Sequence, residues 1–157
     1  MRVLLAMDHS PYSWFAVESM TLRPWPPGTI VRVVSAVETL IPAMPEMWYD
    51  ATDVFERTQQ ELIKQAERVT ARAVKALAAN GLWANSVVRD GNLRQVIIEE
   101  AENWNADLII LGSHDHAGIK GWLLGSVEQY VVKNAPCSVE VIRERHLEPA
   151  TEFAAAA

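Results

Sequence analysis

Short apolar runs rich in β-branched residues alternate along the chain with longer segments in which apolar residues recur at helical spacing. This alternation is typical of parallel βαβ units, because a crossover helix must carry the chain back before the next parallel strand begins. The pattern predicts an α/β fold with a single-domain, open, five-stranded parallel sheet and helices on both faces. The strands are predicted at residues 3–7, 30–37, 86–88, 108–111 and 139–142.

Capping and breaking residues set the ends of the first two predicted helices. Ser10 and Pro11 suit an N-cap and a first-turn proline, so helix one should run from there to about Leu22. The longest helix is predicted for residues 53–79, because its apolar residues recur on one face and Asn80-Gly81 can end it.

Two further helices follow from the same kinds of signal. Asn92 can cap the third helix, and Gln95 stands where a capping box requires it. The fourth helix should begin near Ser126 and end before Pro136, since proline cannot continue a helix.

The size and charge of the chain exclude several kinds of partner. With 157 residues, of which 50% are hydrophobic, the chain suits one domain with one core. Its net charge is −6 and it has no basic run, so we expect no binding to nucleic acid or to an anionic membrane surface. It also lacks an apolar stretch near the roughly twenty residues that a membrane span requires.

The single cysteine and the first residues favour a cytoplasmic protein. Cys137 has no partner for an internal disulfide, and its position before the last strand suits a packing role. The chain enters a strand-like run at once, without the charged and apolar regions of a signal peptide. Residues 144–157 carry charge, a proline and an alanine run, and we expect them to form a mobile C-terminal tail.

A glycine-containing pattern after the fourth predicted strand suggests a phosphate-binding site. Gly112-Ser-His-Asp115 follows the apolar run, and Gly125-Ser126 follows Asp115 after nine intervening residues. Glycine lets backbone N–H groups approach an anion closely, and a helix that begins near Ser126 adds partial positive charge. Taken alone, Gly125-Ser126 is also an ordinary helix start.

Three strand ends are expected to line one crevice, because ligands of open parallel sheets bind at the carboxyl ends of the strands. Asp8 ends the first strand and offers a carboxylate to a ribose hydroxyl, although it could equally cap helix one. Ala36 and Val37 end the second strand and could support a base. Gly112 and Gly125-Ser126 would hold phosphates, which makes the crevice a candidate nucleotide site.

Three C-terminal stretches and the start of the chain resemble the universal stress protein family. The stretches are residues 106–114 (Ala-Asp-Leu-Ile-Ile-Leu-Gly-Ser-His), 123–127 (Leu-Leu-Gly-Ser-Val) and 135–141 (Ala-Pro-Cys-Ser-Val-Glu-Val). Residues 3–10, Val-Leu-Leu-Ala-Met-Asp-His-Ser, resemble the family's first strand and loop. The resemblance implies a universal stress protein domain over residues 1–143 and a Rossmann-like fold of the adenine-nucleotide-binding type.

Members of that family that bind ATP carry Gly, two residues, Gly, nine residues and Gly-Ser/Thr. Gly112, Gly125 and Ser126 match this pattern, and Asp8 matches the aspartate that contacts the nucleoside. The resemblance implies that ATP or another adenine nucleotide is bound by Met7, Asp8, Ala36, Leu111, Gly112, Asp115, Gly125, Ser126 and Val127. It also implies a homodimer through the last strand, from Ser138 to Arg143, whose outer edge would otherwise stay unpaired.

Asp115 stands where the ATP-binding members have their second glycine. At about 5 Å from a phosphate, with an effective dielectric of about 20, its carboxylate would repel each unit charge by about 3 kcal/mol. It could instead hold Mg²⁺ that bridges to phosphate oxygens, or point into solvent. No other metal site is predicted, because His114-Asp-His116 is a single short loop and lacks further ligands.

Three functions are compatible with these residues. The first is a cytoplasmic, homodimeric stress-response protein that binds an adenine nucleotide weakly as a regulatory ligand. The second is a nucleotide-independent interaction dimer with a vestigial phosphate cradle, and the third is a slow ATPase. No catalytic residue is predicted, because no general base, catalytic lysine or paired carboxylate is visible near the phosphate positions.

Overall fold

The structure is a computed structural model and describes residues 1–39, 47–113 and 125–143. Strands and helices alternate along these residues. In chain order the elements are β1 (Arg2–Ala6), α1 (Pro11–Thr21), β2 (Ile30–Val37), α2 (Met47–Ala79), β3 (Trp83–Asp90), α3 (Leu93–Trp104), β4 (Leu108–Ser113), α4 (Ser126–Asn134) and β5 (Ser138–Arg143). The expected tail, residues 144–157, lies outside the described residues.

The five strands form one sheet in the order β3-β2-β1-β4-β5, and each neighbouring pair is parallel. This confirms the predicted fold class. The chain first moves outward from β1 through β2 to β3, and then crosses to the other side of β1 to form β4 and β5. The strand order therefore reverses between β1 and β4, which makes this pair the topological switch point of the sheet.

Alternate residues of β1 enter two separate cores, one on each face of the sheet. Val3 and Leu5, with Met7 just after the strand, are fully buried and pack with α1 and α2. Leu4 and Ala6 lie on the other face, where they pack with α3 and α4. A strand that is buried on both faces has an almost continuous apolar sequence, as this one does.

β4 and β5 are each two residues longer than the sequence pattern predicts, and two other elements exceed their predicted lengths by more. β3 covers Trp83–Asp90 rather than residues 86–88 alone, because all eight of its residues pair in register with β2. It is an edge strand with mostly exposed side chains, and Trp83 is 76% exposed, so its hydrophobic pattern is weak.

The second is α2, which begins at Met47 rather than near residue 53, because no helix-breaking residue follows Pro45. The apolar connection predicted for residues 40–50 is thus partly helical, and residues 40–46 lie outside the described residues. In the part of the chain that the structure describes, no helix combines the length and apolar character needed to cross a bilayer.

The ends of α3 and α4 follow the predicted signals with one change. The Asn92 side chain caps α3 by accepting the backbone N–H two residues further on, at 3.1 Å. The backbone becomes extended at Ala135, just before Pro136, so α4 ends where the sequence predicts. The N-cap of α4 is Gly125, which makes Ser126 the first helical residue.

Candidate functional site

The carboxyl ends of β1 and β4 lie side by side at the switch point of the sheet. Ala6 of β1 pairs with Leu111 of β4, so the residues that come after these two leave the sheet next to each other. Crevices at such points are the usual ligand sites of open parallel sheets. The structure therefore brings Asp8 and Gly112, two of the residues predicted for the site, to the same edge of the sheet.

The Asp8 carboxylate holds the turn between β1 and α1. Its Oδ1 accepts the backbone N–H of Ser10 at 3.0 Å and the Ser10 hydroxyl at 2.5 Å. It also accepts the hydroxyl of the buried Ser13 at 2.8 Å. Ser10 is the N-cap of α1 by position, but its own side chain makes no capping bond. These bonds form a turn before α1 rather than a cap on an N–H of the helix, and they hold the half-buried carboxylate at the carboxyl end of β1.

Gly112 is a point of very close approach between β4 and α1. A Cβ on Gly112 would overlap the Tyr12 carbonyl oxygen and would lie 2.9 Å from the Ser13 Cα. Both contacts are with backbone atoms, which cannot move aside by a change of rotamer. Glycine is thus required at this position to pack α1 against the sheet, whether or not a phosphate binds. Because Ser13 is bonded to Asp8, the packing also joins the Asp8 turn to the end of β4.

The first turn of α4 lies at the same edge of the sheet. This helix follows β4 and leads back to the start of the parallel strand β5, so its N-terminus must be at the carboxyl edge. Gly125 has extended backbone, and the Ser126 side chain that follows it is exposed. The N–H groups of the first helical turn carry partial positive charge and are the predicted phosphate donors.

A carboxylate that the sequence analysis did not consider lies at this helix start. Glu128 is the third helical residue of α4 and is only 6% exposed. Its Oε2 lies against Gly125, where a Cβ on that glycine would stand. Acidic residues at the third helical position commonly fold back over the N-cap, so the spacing of these two residues was an available signal.

The other predicted site residues offer backbone groups or packing. Met7 is fully buried, and its N–H donates to the Val34 carbonyl at 2.8 Å, so its side chain faces the core rather than the crevice. Leu111 and Val127 pack in the core on the α3 and α4 face, and the half-buried Ala36 packs against the same core.

Asp115 lies outside the described residues, as do His114 and His116. Within the described residues, no group of three or more His, Cys, Asp or Glu side chains is placed to hold a metal ion. Two carboxylates at the ends of β2 and β3 are bonded locally, since Asp90 accepts the Thr39 hydroxyl at 2.6 Å and Glu38 accepts an Asn92 amide hydrogen.

Cys137 has the packing role that the sequence predicts. The half-buried side chain packs against the core formed with α3 and α4. Burial, together with the nearby charge of Asp107, raises the pKa of its thiol. A raised pKa lowers the fraction of thiolate at neutral pH, and the thiolate is the nucleophilic form, so this cysteine is not activated for catalysis.

These features define the chain as an open parallel α/β protein whose topological switch point carries the candidate site. Within that class it belongs to the universal stress protein family, because the model of the Usp family matches residues 1–143. The resemblance inferred from the residues of the two ends of the chain is thereby confirmed.

Two relatives illustrate the similarity in sequence. A universal stress protein of Thermus aquaticus is 29% identical over 142 residues, which cover 90% of this chain and 97% of that protein. The universal stress protein MJ0531 of Methanocaldococcus jannaschii is 35% identical over 85 residues, which cover 54% of this chain. The second match spans only half, 50%, of the relative's own length.

Solved structures share the fold at low sequence identity. Protein MJ0577 superposes with a TM-score of 0.75 and 21% identity, and the match covers 92% of this chain and 96% of that one. A universal stress protein family protein of Arabidopsis thaliana with AMP bound gives a TM-score of 0.59 at 18% identity, with 97% of each chain covered. A universal stress protein in complex with cAMP gives 0.60 at 18% identity, with 90% of this chain and 96% of that one covered. These similarities establish the fold of this chain, and AMP and cAMP are ligands of the two relatives.

Proposed function

We propose that this chain is a regulatory universal stress protein that binds an adenine nucleotide, ATP, weakly in the crevice between β1 and β4. The observation that carries the proposal is the packing of the Asp8 turn against Gly112 at the switch point, at the edge where α4 begins. The AMP and cAMP complexes of two relatives with the same fold support an adenine nucleotide as the ligand class.

Each part of the crevice has a chemical role in this proposal. The Asp8 carboxylate accepts a hydrogen bond from a ribose hydroxyl, and Ala36 borders the base. The N–H groups that follow Gly112 and those of the first α4 turn, at Ser126 and Val127, donate to phosphate oxygens. The exposed Ser126 hydroxyl adds a further donor. Mg²⁺, where it accompanies the nucleotide, would be held by Asp115.

The nucleotide acts as a regulatory ligand rather than as a substrate. A general base must reach the water or hydroxyl that it activates. Two described carboxylates at this edge of the sheet are engaged in local hydrogen bonds instead, Asp8 with Ser10 and Ser13, and Asp90 with Thr39. This engagement favours binding over catalysis, and we place the protein in the cytoplasm.

The proposal includes a homodimer through the outer edge of β5. Along the described residues, β5 pairs with β4 on one side only, as β3 pairs only with β2. The β5 edge is the better candidate, because Val139 and Val141 are half-buried and Val132 on the adjacent α4 is 51% exposed. A second copy pairing with β5 would satisfy its free backbone groups and cover these apolar side chains.

Sedimentation of the purified chain tests the dimer, with an expected mass of twice that of one chain. Ser138→Lys places a charge on the β5 edge and should weaken the dimer about tenfold, because charged side chains on an edge oppose pairing. Ser86→Lys makes the same change on the β3 edge and should leave the mass unchanged. A wild-type monomer at high protein concentration would rule the dimer out.

Asp115→Gly is expected to tighten ATP binding about ten- to hundredfold in a calorimetric titration, because it removes a like charge beside the phosphates. Asp115→Asn is the matched variant, since it removes the same charge but keeps a side chain at the position. A gain in both variants assigns the effect to charge. No gain in either variant would favour the alternative function, a nucleotide-independent interaction dimer with a vestigial cradle.

A further inference from the structure

We infer that Glu128 is a specificity-determining residue of the crevice, whose carboxylate takes the anion position at the start of α4 and selects adenine ligands of low charge over triphosphates. The inference rests on the proposed function, because it presumes that an adenine ligand binds beside this helix. It assigns to Glu128 a role that the predicted motif, which ends at Gly125 and Ser126, does not contain.

The position of the Glu128 side chain is the first observation. A glutamate in the first turn of a surface helix can extend into solvent, and the next residue, Gln129, is exposed. Glu128 is instead only 6% exposed, with Oε2 packed against the N-cap Gly125. Its carboxylate therefore lies at the end of the helix where an anionic ligand would bind.

The second observation concerns the partners of the carboxylate within the described part of the chain. No hydrogen bond or ion pair joins it to a side chain that the structure describes. Arg94, at the start of the neighbouring α3, is held elsewhere, by a 3.2 Å bond to Asn92 and by stacking over the Tyr130 ring at 5.8 Å. Within the described residues, the carboxylate lies against the first turn of α4, whose N–H groups carry partial positive charge.

Charge at the helix start then decides which ligands bind. A helix N-terminus is equivalent to about half a positive charge, whereas a carboxylate carries a full negative charge. Glu128 therefore weakens the binding of phosphates by the N–H groups of the first turn, and it weakens the binding of a triphosphate more than that of a ligand of low charge. Burial weakens the screening of this repulsion by salt.

The steric argument agrees with the electrostatic one. The Glu128 carboxylate occupies space directly over Gly125, which a phosphate oxygen would need in order to reach the N–H groups of the first turn. The glycine leaves this space free of its own side chain, and Glu128 fills it. Adenosine, which has no phosphate, can use the Asp8 side of the crevice without displacing Glu128.

Titration of the wild-type protein and of Glu128→Gln with adenosine and with Mg-free ATP tests this inference. Glutamine keeps the size of the side chain and removes its charge, so ATP binding should tighten at least about tenfold, while adenosine affinity stays within about twofold. Glu102→Gln is the matched control, because it changes the net charge equally at an exposed position of α3 and should alter neither affinity. Circular dichroism melting verifies that each variant is folded, and Glu128→Met replaces Glu128→Gln if the latter is not.

The outcomes separate this inference from the proposed function. If adenosine binds and ATP affinity is the same in the wild type and in the Glu128 variant, the role of Glu128 is wrong and the nucleotide site stands. If Glu102→Gln tightens ATP as much as Glu128→Gln does, the effect is one of net charge and the inference is overturned. If ATP binds and adenosine does not, the inference is overturned and the nucleotide site stands. If neither adenosine nor ATP binds to any of the variants, the proposed function fails and this inference fails with it.

Discussion

Replacing Gly112 with alanine is expected to lower the free energy of unfolding by about 3 kcal/mol. The added methyl group would overlap the Tyr12 carbonyl oxygen and lie 2.6 Å from the Tyr12 carbonyl carbon. The backbone of α1 would have to move away from β4, which would loosen the packing of the buried Ser13 and its bond to Asp8. Urea unfolding followed by circular dichroism measures the loss.

Gly125→Ala is the matched control for this substitution. It adds the same methyl group at a position with ordinary extended backbone, but the group that it meets is the flexible end of the Glu128 side chain. That side chain can rotate outward, so the expected loss of stability is at most about 1 kcal/mol, which includes the weaker capping by alanine. Equal losses in the two variants would show that the approach of β4 to α1 is not what makes Gly112 necessary.

Arg32→Met is expected to lower the free energy of unfolding by about 2–3 kcal/mol, because it removes a partner of a buried carboxylate. Glu100 on α3 is 4% exposed and is bonded to Arg32 of β2 at 2.7 Å. Arg89 of β3 also reaches Glu100, at 3.1 Å, and keeps the loss below that of a fully unpaired charge. Arg32 further stacks over Trp104 at 4.6 Å, a contact that methionine replaces only in part. Chemical denaturation measures the change.

Two comparisons define how this loss should be interpreted. Arg68→Met breaks an ion pair with Glu61 on α2 in which both side chains are more than 60% exposed, at 63% and 62%, so it should cost less than about 0.5 kcal/mol. The double variant Arg32→Met with Glu100→Leu should recover part of the stability, since no buried charge is left unpaired. A double variant as unstable as the sum of its parts would contradict a buried-charge origin.

The fold could be predicted where one local pattern determines the structure. β1 and β4 are buried on both faces, so their apolar runs stand out, and the five-stranded parallel sheet follows from the alternation of such runs with helical segments. β3 was predicted only in part, because an edge strand is held by backbone pairing with β2 and its side chains mostly face solvent. Helix ends were predictable where a single residue acts locally, as at Asn92 and Pro136.

The candidate site was predictable in its positions and less so in its contacts. Strand ends and spacing placed Asp8, Gly112 and the start of α4 at one edge of the sheet. The close approach of Gly112 to α1 depends on how a helix packs about one hundred residues away in the chain, since Gly112 and Tyr12 are far apart in sequence. The inward orientation of the Glu128 side chain likewise depends on its tertiary surroundings, because a glutamate at the third position of a helix can also extend into solvent.

Binding of an adenine nucleotide in the crevice between β1 and β4 is tested most directly by calorimetric titration of the wild-type protein. AMP and ATP are titrated separately, each with and without Mg²⁺. We expect saturable binding of one nucleotide per chain, weaker for Mg-free ATP than for AMP, because the proposed site puts the negative charges of Asp115 and Glu128 near the phosphates. No heat of binding from either nucleotide up to about 1 mM would mean an affinity weaker than about −4 kcal/mol and would contradict a nucleotide-regulated protein.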